Sequence, residues 1–347
     1  MRIDNEVKLD FEDVRIVPQR TTLESRSEVV LERNFKFYHS PRVWSGVPIM
    51  CSNMVPLTSK SMAIKLAEHK MVTALHKYYD AEELADIISS AGVDYAWASI
   101  GKSYDDIEKL KIVKNAIGTS PNIVIDVPNG YMESFVKFCE KVRQEFPDSI
   151  ICAGNVTTSE ICEELIIHGK VDICKVQIGP GSQCETRKMT GVGYGTFSCV
   201  VECAHATHGL RSDNSRLGLI MSDGGCKHSG DVCKAICGGA DWVMIGGMFA
   251  GADECDGEWE YKLVEECRQK TFLTFYGMSS HYAQEKHGVG KKKYRASEGK
   301  ISKIEFKGPV EDIIQEILGG IRSCGAYIGA KQLKDFNKCA KFVRVSR

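Results

Sequence analysis

Residues 179–187 read Gly-Pro-Gly-Ser-Gln-Cys-Glu-Thr-Arg. The turn accounts for the glycines and the proline, but not for Cys184 or Thr186. A cysteine is nucleophilic only as thiolate, and its ordinary pKa is about 8.5. A loop of exposed N–H groups, with Arg187 close in sequence, would favour that form. Two further stretches are rich in glycine: "SDGGC" (222–226) and "IGGM" (245–248). Paired glycines let backbone N–H groups reach an anion, because no Cβ intervenes. Gly224, Gly225, Gly246 and Gly247 are therefore candidates for a phosphate cradle. A phosphate would repel Asp223, which is better suited to accept hydrogen bonds from ribose hydroxyls. Together these features point to a nucleoside monophosphate. Each also has a plainer reading: glycines that only turn the chain, a buried inert thiol, a threonine bonded to its own backbone.

A fourth stretch, "YGMSSHYAQEKHGVGKKKYRASEGK" (276–300), is polar, lysine-rich and punctuated by glycine. Loops of that length in a compact chain are usually functional or disordered. It reads either as a lid delivering Glu298 to the rim or as a solvated basic loop.

The elements that would position these residues recur in a regular way. Short apolar, β-rich runs lie at 47–51, 71–75, 95–99, 122–127, 149–154, 171–177, 217–222 and 240–246. Each is nearly continuous in apolar residues, as expected of parallel strands covered on both faces. Amphipathic segments lie between them, such as 157–169, with Thr157, Thr158 and Ser159 as caps and Gly169 as its stop. Eight such units predict an α/β fold, a (β/α)8 TIM barrel, typically of about 250 residues. The surplus forms an N-terminal extension (1–46), a long excursion after strand eight (about 250–308) that contains the lid, and a C-terminal tail. The chain is read as one domain, 1–347. An open doubly wound sheet would want a glycine-rich GxGxxG turn after its first strand, and "SNMVPL" stands there instead. Polar and glycine residues gather just past the strand ends, where a barrel keeps its chemistry.

Composition narrows the function classes. The 347 residues are 43% hydrophobic and 26% charged, with a formal net charge of −1. No global field favours nucleic acid or an anionic membrane. No apolar run approaches a membrane span, and the first residues lack the apolar core of a secretory signal. Fifteen cysteines without a CxxC pair read as free thiols in a reducing compartment, and a cytoplasmic location is expected. Cys199/Cys203 and Cys233/Cys237 have helical i, i+4 spacing but no matching partner pair, so buried thiols are preferred to a metal site.

The motifs "KVxIGPGSxCxTR…TGVGY", "SDGGC…GDVxKAxxGGADxVMxGGM", "FYGMSS" and "YRASEGK…LGGxRS" resemble the GMP reductase/IMP dehydrogenase family, and the likeness runs almost end to end. The reductase side of the family is the closer match. The usual regulatory insertion of IMP dehydrogenase has no room after the second strand, and the lid reads Tyr294-Arg295 rather than Arg-Tyr. The resemblance implies reductive deamination of GMP to IMP and ammonia with NADPH, through a covalent bond from Cys184 to purine C2 (a thioimidate). Thr186 and Glu298 match the proton-relay pair. Asp223, Gly224, Gly225, Gly246, Gly247, Met278, Ser279, Ser280, Arg295, Ala296, Ser297 and Gly299 match the nucleotide site. Lys77, Asp126, Val127, Pro128, Ile178, Gly179 and Tyr294 match the cofactor site. Ser25 and Arg26 would reach the cofactor of a neighbouring subunit in a homotetramer. Gly179, Gly181, Cys184 and Arg187 match a monovalent-cation site, with K+ as the expected ion.

The chain departs from the family pattern mainly on the cofactor side. "NMDTV" reads "NMVPL", with Val55 in place of aspartate, and "DVANGY" reads "DVPNGY" with Pro128. Gln177 replaces a glycine, "GVGYPQLSA" reads "GVGYGTFSC", and "RSTCTY" reads "RSCGAY" with Gly325 and Ala326. A deoxy or modified guanine nucleotide, oxidation of the IMP dehydrogenase kind, and a non-catalytic nucleotide-binding homologue are the alternatives. The inserted stretch 211–218 precedes a strand, which assigns it to the stability face.

Overall fold

The computed structural model describes residues 3–213, 215–264, 267–287 and 296–346. Eight parallel strands close into a barrel. They are β1 (Ile49–Cys51), β2 (Val72–Leu75), β3 (Ala96–Ile100), β4 (Ile123–Asp126), β5 (Ile151–Val156), β6 (Ile173–Val176), β7 (Leu219–Asp223) and β8 (Trp242–Ile245). All eight coincide with the runs read from the sequence, and β3, β5 and β7 extend one or two residues past them. The helices between them are α1 (Lys60–Glu68), α2 (Ala81–Ala91), α3 (Tyr104–Ile117), α4 (Glu133–Glu145), α5 (Ser159–Ile167), α6 (Thr196–Gly209), α7 (Ser229–Cys237) and, after the excursion, α8 (Val310–Ile328).

Helix α2 shows the local logic. Asp80 caps it and exchanges bonds with Glu83, while Leu84, Ile87, Ile88 and Ala91 form the buried stripe. Helix α5 is less tidy. Thr158 occupies the N-cap position but makes no side-chain cap bond, and the helix stops at Ile167, two residues before Gly169.

Strand alternation sorts the barrel interior into layers. The lower layers are apolar and include Met50, Val72, Trp97, Val124, Cys152, Ile173, Met221 and Trp242. A hairpin, Arg33–Lys36 paired with Val43–Gly46, floors this end. Its Trp44 ring lies 4.3 Å from that of Trp242. Two residues further along the strands the interior turns polar: Lys175 follows Ile173, Asp126 follows Val124, and Asp223 follows Met221. A register shift between Gly154 and Val156 lets Asn155 join this upper layer. Gly154 must be glycine, because a Cβ there would stand 2.2 Å from the Lys175 carbonyl.

The excursion after β8 builds its own three-stranded antiparallel sheet from Trp259–Val264, Cys267–Tyr276 and Ile301–Glu305, with a short helix His281–Lys286 before the last strand. The N-terminal extension and the C-terminal tail are tied by antiparallel pairing of Val14–Val17 with Lys341–Arg344. Arg211–Ser212 and Ser215–Arg216 pair in the inserted stretch, at the N-terminal end of the barrel strands. Among the described residues no helix is long and apolar enough to cross a membrane.

Candidate active site

A cavity of about 400 Å³ opens at the C-terminal rim of the barrel. The loop after β6 supplies Cys184, and two chain reversals hold it there. The Cys184 N–H donates to the Gly181 carbonyl at 3.0 Å. Cys184 also pairs with Gly299 on the chain returning to the last strand of the excursion. That return is pinned twice more: Glu185 N–H donates to the Glu298 carbonyl at 2.7 Å, and Lys300 N–H to the Gln183 carbonyl at 3.0 Å. These bonds hold the Glu298 side chain at the thiol loop. The Cys184 Sγ lies 3.2 Å from Thr186 Oγ1, which donates to Glu298 Oε2 at 2.8 Å. A thiol, a hydroxyl and a carboxylate thus form one hydrogen-bonded chain at the cavity wall. Cys184 is half-buried, whereas ten of the fifteen free thiols are buried.

The opposite wall and the floor complete the cavity. Gly224 (φ +83) and Gly225 (φ +79) adopt consecutive left-handed conformations after β7, which a side chain would resist. Gly224, Gly225, Gly246 and Gly247 all line the cavity, as do Met278, Ser279 and Gly299. So do Lys77, Asp126, Val127, Pro128, Ile178, Gly179 and Gly181 from the loops after β2, β4 and β6.

Lys175 stands between the two carboxylates of the floor. Its Nζ lies 2.7 Å from Asp126 Oδ1 and 2.7 Å from Asp223 Oδ2. Burial opposes its charge, and the two carboxylates outweigh that and hold its pKa above the usual lysine value. Burial likewise pushes Asp126 toward its neutral form, yet Lys175, Asn53 and Lys77 keep its pKa below the usual carboxylate value. Asn53 donates to Asp126 at 3.1 Å, and Asn155 donates to Asp223 at 2.7 Å and to the Gln177 carbonyl at 2.8 Å. Gln177 itself has φ +99, which explains a glycine at this position in the family pattern. Its side chain is held inward by Ser222 at 3.0 Å and the Thr196 carbonyl at 3.3 Å. His76 also lines the cavity, stacked on Tyr79 at 3.8 Å. Burial pushes its pKa down to about 4.

Several expected residues stand apart. Arg187 is not part of the cavity lining. Its guanidinium bonds the Tyr194 carbonyl, Thr196 Oγ1 at 3.1 Å and Asp10 at 3.5 Å. Ser280 caps the helix His281–Lys286 through Ala283 N–H at 3.1 Å. Ala296 and Ser297 flank the cavity without lining it, and Ser297 bonds the Gly299 carbonyl at 3.1 Å. Ser25 caps a short 3-10 turn, and Arg26 lines a separate groove against α8 with Arg322 and Ser323. Tyr294 and Arg295 lie outside the described residues, as do Lys291–Lys293. Among the described residues no group of three His, Cys, Asp or Glu side chains could hold a metal ion. Asn53, His76 and Asn155 belong to the polar residues that the sequence gathers at the strand ends, without a role given to them, and Lys175 was missed. The available signal was position: each of them lies at or just past the end of a barrel strand.

A parallel eight-stranded barrel with a half-buried rim cysteine, a hydroxyl–carboxylate chain and a glycine-lined wall defines a class: a TIM-barrel protein with a polar cavity at its C-terminal rim. Comparison with known proteins narrows it. The family model described as "IMP dehydrogenase / GMP reductase domain" matches residues 8–347. The chain is 49% identical over 348 aligned positions to proteins named GMP reductase from Escherichia coli O81 (strain ED1a), Shigella boydii serotype 4 (strain Sb227) and Escherichia coli (strain K12 / DH10B). In each case the match covers 99% of this chain and 97% of the relative. The chain belongs to the IMP dehydrogenase/GMP reductase family.

Proposed function

We propose that the protein is an oxidoreductase that converts GMP to IMP and ammonia, with Cys184 as nucleophile. The observation that carries this reading is the Cys184–Thr186–Glu298 chain, with contacts of 3.2 and 2.8 Å, at the wall of a nucleotide-sized cavity. An amine on an aromatic, amidine-like carbon is a poor leaving group. Addition of sulfur to C2 makes that carbon tetrahedral, and a proton then lets the nitrogen leave as ammonia, with sulfur still bonded to C2. Covalent catalysis divides one difficult displacement into two easier steps. A threonine hydroxyl alone shuttles protons poorly, and the Glu298 carboxylate behind it supplies an acid–base partner.

The second step needs a reductant. A reduced nicotinamide, NADPH in this proposal, supplies hydride to C2 when bound, and the thiolate departs. The cavity residues suit such a group: Lys77 for charge, Asp126 for ribose hydroxyls, and Val127, Pro128, Ile178 and Gly179 as the adjoining wall. The glycine pairs, Met278, Ser279, Asp223 and Gly299 would hold the nucleotide, together with Ser280, Arg295, Ala296 and Ser297. Tyr294 would meet the cofactor. Ser25 and Arg26 lie outside this cavity, so a cofactor role for them requires another copy of the chain. A homotetramer is part of this proposal. A monovalent cation would take the carbonyls of Gly179, Gly181 and Cys184. Arg187 could offer such an ion only its carbonyl, since its side chain is cationic.

The test is to mix the purified protein with GMP and NADPH, or with GMP and NADH. Loss of reduced-cofactor absorbance, release of ammonia and the product mass are then followed. Stoichiometric IMP and ammonia are expected. Tight GMP binding with neither cofactor consumed would replace this reading with that of a non-catalytic nucleotide-binding homologue.

A further inference from the structure

Lys175 is 1% exposed, yet it lines the cavity and is the charged centre of its floor. One ammonium serves two carboxylates, so the cluster carries a net negative charge. Its acceptors are unevenly used. On Asp126, Oδ1 takes Lys175 and Oδ2 takes Asn53. On Asp223, Oδ2 takes both Lys175 and Asn155, and Oδ1 has no hydrogen-bond donor among the described residues. The lysine thus turns one free carboxylate oxygen toward the nucleotide half of the cavity while anchoring the carboxylate of the other half.

We propose that Lys175 is a positioning residue that keeps Asp126 and Asp223 ionised together, so that the two halves of the cavity accept ligand hydroxyls at the same time. This inference rests on the functional reading above, in which Asp223 faces the nucleotide ribose and Asp126 the cofactor. Both carboxylates lie 2.7 Å from one nitrogen, which limits their bonded oxygens to a separation of a few ångströms. Without the ammonium, two half-buried like charges that close resist ionising together, and the pair retains one proton at neutral pH. A shared proton ties up an acceptor oxygen and weakens both ligands at once. The other titratable groups around the pair are Lys77 after β2, Cys152 on β5, Cys226 after β7 and His76. Burial pushes both thiols up, and it pushes His76 down to about 4. None of these three changes charge between pH 6 and 8.

The experiment compares the full-length wild type with Lys175→Met and with the double variant Lys175→Met/Asp126→Asn. In Lys175→Met at pH 7, KM for GMP and KM for the reduced nicotinamide are each expected to rise by about tenfold or more, with kcat falling less. Both KM values should improve as pH is raised and the shared proton leaves, whereas the wild type stays flat. In the double variant Asp223 no longer has a rival charge. KM for GMP should return to within about threefold of wild type, while KM for the cofactor stays high. The double variant keeps the wild-type net charge of the cluster, with Asp223 as its one carboxylate, so it keeps the test open if Lys175→Met fails to fold. A ligand-free readout separates this idea from the functional reading. An added infrared carbonyl stretch of a protonated carboxylic acid should appear at pH 7 in Lys175→Met, over the Asp172 background common to all three proteins, and should be absent from the wild type and the double variant. If the wild type does not turn over GMP, the functional reading fails and the infrared result still decides the charge coupling. The proposal is overturned if Lys175→Met lowers only the melting temperature, with KM values flat in pH, or if it lacks the acid band.

Discussion

Two acid clusters sit at opposite ends of the barrel, and they are built in opposite proportions. At the floor end, one carboxylate, Asp241, faces two guanidinium groups and an imidazole: Arg33 at 3.3 Å, Arg216 at 3.1 Å and His208 at 3.0 Å. The Ile220 N–H adds a fourth donor at 3.3 Å. Burial opposes the Asp241 charge, yet these partners hold its pKa below the usual carboxylate value. Both of its oxygens are occupied, and nothing remains for a ligand. At the rim end the ratio is reversed, with one lysine between two carboxylates and an oxygen of Asp223 left open. Excess cation closes a buried cluster, and excess anion keeps acceptors available. This matches the division of labour in such barrels, with chemistry at the C-terminal rim and stability at the other end.

The sharpest way to break the contrast is at the thiol. Cys184→Ala should lower turnover by at least about 10³-fold while GMP binding persists. Turnover that survives it would remove the covalent route and leave the rim without its defining group. Glu298→Gln should cost about 10²- to 10³-fold in kcat, with little change in KM for GMP, because it removes the acid–base partner and keeps the shape. At the floor end, Asp241→Ala leaves Arg33, Arg216 and His208 without their shared anion and should destabilise the fold by about 3 kcal/mol. At a temperature where this variant is fully folded, kcat/KM should stay within about twofold of wild type. A selective loss of kcat/KM there would show that the two ends are not separable.

The fold was far more legible than the working network of the site. The eight barrel strands are near-continuous apolar runs because both of their faces are buried, and that signal is local. The hydrogen-bonded thiol chain was legible as motifs, since Cys184 and Thr186 are two residues apart, although Glu298 reaches them only through the returning chain. The three-stranded sheet of the excursion was not foreseen. Trp259–Val264 is largely exposed and carries no apolar face to mark it. Lys175 was passed over because a lysine inside an apolar run looks like an interruption of the strand. Its partners lie 49 and 48 residues away in sequence, and only barrel closure brings them together. Alternation could have found it: Lys175, Asp126 and Asp223 each stand two residues beyond an inward-facing apolar residue. Arg187 was expected beside the thiol, but Asp10 and Thr196, from segments that meet it only in the folded chain, bind its guanidinium.

The smallest expected effect appears only in acid. Each end of the barrel holds a histidine kept neutral by burial: His76 at the rim and His39 beside the floor hairpin, both pushed down to about 4. At His39, Arg143 and Lys170 add to the effect of burial. An unfolded chain takes up these two protons near pH 6.5, and the folded chain resists them until about 4, so stability falls as pH drops through that window. Asp172 acts the other way. Burial outweighs Arg143 and holds its pKa up to about 6, so below that pH the folded state gains a proton relative to the unfolded chain and part of the slope is cancelled. The informative quantity is therefore the difference between variants in urea unfolding at pH 7 and pH 5. His39→Gln and His76→Gln should each reduce the acid-induced loss of stability by one proton's share. Only His76→Gln, at the cavity, should also change KM for the cofactor. If His39→Gln altered KM as well, the floor would be coupled to the rim through the packed tryptophan layer between them.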